Sequence, residues 1–69
     1  MYNVHLITKN DSTKRVIISS SAYDPIYHYK GKAIEISLRM HTNDITIARD
    51  FGTALSERIN AKLHDLVLD

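Results

Sequence analysis

Residues 43 to 67 read NDITIARDFGTALSERINAKLHDLV. Within them Ala48, Phe51, Leu55, Ile59, Leu63 and Leu66 recur at spacings of three, four, four, four and three. The mean, about 3.6, is the period of a straight amphipathic helix. The spacing predicts one helix over 43 to 67, roughly 37 Å long at 1.5 Å per residue. Thr42 or Asn43 would cap it, with Asp44 in the first turn, where the helix dipole favours an anion. One segment pulls the other way. Ile45-Thr46-Ile47 is β-branched and alternating, so it also fits a fifth strand, with Asp50 capping a shorter helix. The unbroken helical period favours the helix.

The forty residues before it read as strands. Tyr2, Val4 and Leu6 alternate with Asn3 and His5, the period of a half-buried strand. A polar turn, KNDSTK over 9 to 14, leads into a second strand from Arg15 to about Ala22, rich in Val16, Ile17 and Ile18. Asp24-Pro25 breaks the chain, because proline cannot donate to a ladder. Ile26 to Tyr29 reads as a short strand, and Lys30-Gly31-Lys32 as a tight turn. In Ala33 to Met40, Ile34, Ile36, Leu38 and Met40 would face the core and Glu35, Ser37 and Arg39 would face water. The expected class is α+β. A small antiparallel sheet of three to four strands, arranged as two hairpins over 1–41, carries one long C-terminal helix over 42–69 on one face. The whole, 1–69, would be a single domain.

Size and composition narrow the function. A core of 69 residues supplies little net stability, and without cysteine there is no disulfide or thiolate metal site. A partner chain is the remaining support, so a homo-oligomer, most simply a dimer, is expected. A thin apolar row along the predicted helix, Ile47, Ala54, Ala61 and Leu68 with Phe51 beside it, would be its seam. No apolar run is long enough for a membrane span, and no secretory leader is visible, so a cytoplasmic protein without a membrane partner is expected. Net charge is +1. Residues 1 to 41 hold six Lys and Arg against three Asp and Glu, and residues 42 to 69 hold three against five. That bias is milder than in most nucleic-acid-binding domains.

Chemistry is sparse. His5, His28, His41 and His64 share no metal-ligand spacing, so neither a metal nor another cofactor is expected. Ser19-Ser20-Ser21 lacks the strained elbow of a catalytic nucleophile, and Gly31 and Gly52 form no phosphate loop. The densest stretch is AYDPIYHYKGK, 22 to 32. Tyr23, Tyr27, Tyr29, Lys30 and Lys32 are its candidate contact residues. Tyrosine suits a protein interface, and an exposed strand edge can add to another sheet. The expected function is a small non-enzymatic binding module, of adaptor or inhibitor type, that occupies a partner protein. An alternative is a nucleic-acid-binding regulator, with the tyrosines stacking on bases and the lysines meeting phosphates. A third reading is a small ribonuclease using His28 and the neighbouring tyrosines.

Overall fold

The computed structural model describes residues 1–68. Six elements follow one another: β1 (Tyr2–Lys9), β2 (Lys14–Ser20), α1 (Pro25–Tyr29), β3 (Ala33–Thr42), α2 (Ile45–Ile59) and β4 (Lys62–Val67). The strands form one sheet in the order β3-β1-β2-β4. β1 is antiparallel to β2 and to β3, and β4 is parallel to β2. The class is α+β as expected, but the sheet is mixed and there are two helices. α2 crosses from one edge strand to the other and touches all four strands. No helix among the described residues is long and apolar enough to cross a membrane.

The predicted long helix is the main correction. α2 starts at Ile45, two residues after the expected 43, and Ile45-Thr46-Ile47 is helical and not a strand. Its cap is Asp44, not Thr42 or Asn43. The Asp44 carboxylate accepts from the Thr46 N–H at 2.9 Å and the Ile47 N–H at 3.4 Å. The helix then stops at Ile59. Asn60 takes the left-handed conformation, φ 53° and ψ 47°, and its N–H turns back to the Glu57 and Ser56 carbonyls. The Ala61 N–H reaches the Ser56 carbonyl at 2.9 Å. This left-handed ending satisfies carbonyls that the last turn leaves open. Lys62 to Val67 then runs along β2 as a strand.

The reason lies in β2. Val16, Ile17, Ile18 and Ser19 are all essentially inaccessible. A strand buried on both faces is a central strand and needs a neighbour on each side. β1 supplies one and β4 the other. Val16 pairs with Leu63 and Ile17 with His64. The register slips between Ile17 and Ser19, and Leu66, at the slip, has φ 48°.

Two apolar layers result. Under α2 lie Val4, Leu6, Val16 and Ile18 of the sheet, packed on Ala48 of the helix and flanked by its Phe51, Leu55 and Ile59 and by Leu63 of β4. Gly52 lets the helix come close: a Cβ there would sit 2.8 Å from Ile18 Cδ1. On the opposite face Ile7, Ile17 and Tyr23 pack with Tyr29, Ala33, Ile36 and Val67.

β3 departs from simple alternation. Its pairing with β1 slips between Val4 and His5 and again between Thr8 and Lys9. Met40 lies opposite Val4 and packs under α2, whereas Ile36 lies opposite Ile7 and packs on the other face. The expected apolar side is therefore split. Ile34 remains 71% exposed and Leu38 52%. An edge strand has one neighbour only, and bulges at such edges re-aim side chains.

Candidate functional site

The stretch 22 to 32 is not a strand hairpin. Asp24 accepts from the Ile26 N–H at 3.0 Å, Pro25 takes the first helical position, and Pro25–Tyr29 closes as α1. Proline fits there because its missing N–H would have no partner in any case. Lys30-Gly31-Lys32 is a turn, as expected, but it joins a helix to β3. Gly31 supplies φ 77°, and the Lys32 N–H donates to the Tyr29 carbonyl at 2.9 Å.

The helical twist divides the tyrosines. Tyr23 is buried, 5% exposed, and its ring stacks on His28 with centroids 4.6 Å apart. Tyr29 is half-buried against the layer of Ile7 and Ile17. Tyr27 stands out, 81% exposed, with its ring edge-on to His28 at 5.7 Å. Of the five candidate contact residues, Tyr27, Lys30 and Lys32 are presented to solvent. Tyr23 belongs to the core, and Tyr29 largely so.

Two more residues here are exposed: Ile26, expected in a short strand, and Ile34, expected to face the core. The overlooked signal was Asp24-Pro25, an N-cap followed by an N1 proline. It marks a helix start as well as a strand break. A second turn lies alongside. The Asn10 N–H donates to the Lys32 carbonyl at 2.9 Å, and Lys9 pairs with Ala33. The Asp11 carboxylate holds this turn by accepting from the Thr13 N–H at 3.0 Å and the Thr13 hydroxyl at 2.6 Å. Those bonds lower the Asp11 pKa below the usual carboxylate range. Lys9 and Lys14 therefore stand at the same end of the sheet as Lys30 and Lys32. Lys62, opposite Arg15, begins β4 there as well.

The predicted dimer seam is dispersed. Ile47, Phe51 and Ala54 lie on α2, but Ala61 is in the link to β4 and Leu68 follows β4. What persists beside α2 is a groove of about 310 Å³ lined by Arg39, Phe51, Ala54, Leu55 and Arg58.

The histidines remain apart from one another in role. His5 is buried, and its Nδ1 has no hydrogen-bond partner among the described residues. Burial pushes its pKa down, and the negative charge of Asp24 opposes this. His64 Nε2 lies 3.2 Å from Arg15 Nη1, a donor only, so this nitrogen accepts. Its pKa is lowered by burial and then by the charges of Arg15 and Lys62. Among the described residues no three His, Asp or Glu side chains are grouped to hold a metal ion. No family model matches the chain, and no curated protein or solved structure matches it either.

Proposed function

We propose that the protein is a small binding module that occupies a partner protein through the end of the sheet built by α1, the turn after it and the β1–β2 turn. One observation carries the reading. Ile26, Tyr27 and Ile34 are 64%, 81% and 71% exposed within nine residues of chain, interleaved with Lys30 and Lys32. Ile26 and Tyr27 are held out on the capped α1, and Ile34 near the start of β3, outside both apolar layers. An exposed tyrosine flanked by lysines suits a partner surface with an apolar pocket and acidic surroundings.

Comparative capture from a lysate of the source cells tests this. The wild-type chain should retain a protein that the Ile26→Ser/Tyr27→Ala/Lys30→Ala variant loses, with both chains equally folded by circular dichroism. Identical captured sets would refute the assignment.

A second reading, nucleic-acid binding, is favoured by the gathering of Lys9, Lys14, Lys30, Lys32 and Lys62 at one end. It lacks the stacking platform expected from the sequence, since Tyr23 and Tyr29 turn inward and leave Tyr27 alone.

A further inference from the structure

We infer that two copies of this chain pair through the free edge of β3, antiparallel and centred on Ser37, to make one continuous eight-stranded sheet. β3 is ten residues long and has β1 on one side only. Its outer backbone groups are an open template for another strand. Bulges near its two ends and the charged Glu35 and Arg39 interrupt this edge, yet it also carries the exposed apolar residues Ile34 and Leu38.

The register follows from symmetry and charge. A two-fold axis perpendicular to the sheet must pass opposite a residue, because directly opposed side chains share a face. Centring on Ile36 would set Glu35 against Ser37 and leave Arg39 against Ala33. Centring on Leu38 would set Arg39 against Ser37. Centring on Ser37 alone sets each Glu35 against the Arg39 of the other copy, and each Ile36 against Leu38. Glu35 lies opposite Thr8 on the α2 side of the sheet, and Arg39 lines the groove beside α2. The two charges thus meet on one face. Among the described residues neither has an ion-pair partner within the chain.

A further detail fits the same arrangement. The groove holds Arg39 and Arg58 and no acid, so a Glu35 arriving from the second copy would offset part of its charge.

Sedimentation equilibrium tests the pairing. The wild type should form a dimer. Glu35→Arg and Arg39→Glu should each weaken it by about tenfold or more, since like charges then face each other twice per dimer. The double swap Glu35→Arg/Arg39→Glu should restore it. A second test uses the absence of native cysteine. Residues directly opposed across antiparallel strands have Cβ atoms about 4.5–5.5 Å apart. Ser37→Cys should therefore cross-link two copies on mild oxidation, and Glu35→Cys should not. A monomer at every concentration, a dimer indifferent to the single charge reversals, or no cross-link through Ser37→Cys would overturn the inference.

Discussion

His5 shows how one residue ties the fold to pH. It alternates out of the α2 layer and lies opposite Ile17 in the neighbouring strand, on the face closed by Tyr23. Unfolded, it titrates near 6.5; folded, burial holds it lower. Between those two values the unfolded chain carries a proton that the folded chain does not. Stability is therefore full above about pH 6.5 and falls as pH drops through that value toward the folded pKa. His64 acts with the same sign over the same range. Thermal melts from about pH 7.5 to about pH 5 should show a falling midpoint in the wild type and a shallower fall in His5→Gln. Equal slopes in the two proteins would mean that His5 does not carry the effect. The sequence placed His5 on the side of β1 away from Tyr2, Val4 and Leu6, which the structure bears out. It also suggested that this side was wet. The alternation itself was legible; the second apolar layer that covers His5 was not, because it comes in part from Tyr23 and Tyr29, read as contact residues.

At the level of elements, Asn60 separates the predicted helix from the observed one. The apolar spacing runs through it without a gap, since Leu63 and Leu66 fit the helical period as well as a short strand. Periodicity alone does not tell a helix extension from a strand in a six-residue segment. The local stop signal was an asparagine at a position that takes φ 53°, a conformation costly to residues other than glycine and asparagine. Asn60→Gly should leave stability within a few tenths of a kcal/mol, and Asn60→Ala should cost about 1–2 kcal/mol in urea unfolding. A neutral Asn60→Ala would argue that the helix continues past this point. The β1–β2 hairpin, the glycine turn and the start of α2 were legible because each rests on contiguous residues. β4 was not, because its place is set by β2, more than forty residues earlier. The one hint was the run Val16-Ile17-Ile18, whose continuous apolar character is that of a strand buried on both faces.

As a whole the molecule is flat, 31 × 26 × 14 Å, with a Cα radius of gyration of 11.0 Å. That radius matches the value of about 11 Å expected for a compact chain of this length. A thin sheet with one layer of helix leaves much of its surface outside any core. Here that surface includes an open strand edge, the exposed Ile26 and Tyr27 of α1, and a sheet end carrying five lysines. Three of the histidines are held by their neighbours: His5 is buried, His64 lies against Arg15, and His28 stacks on Tyr23 with Tyr27 edge-on to it. The central claim is that this end meets a protein and not a phosphate backbone. Fluorescence anisotropy of labelled single- and double-stranded oligonucleotides, at low and near-physiological salt, tests it most directly. The account predicts weak binding at low salt from the gathered lysines and none near physiological salt. Micromolar or tighter binding that persists there, and that is lost with Lys30→Ala/Lys32→Ala, would contradict it and make nucleic acid the partner.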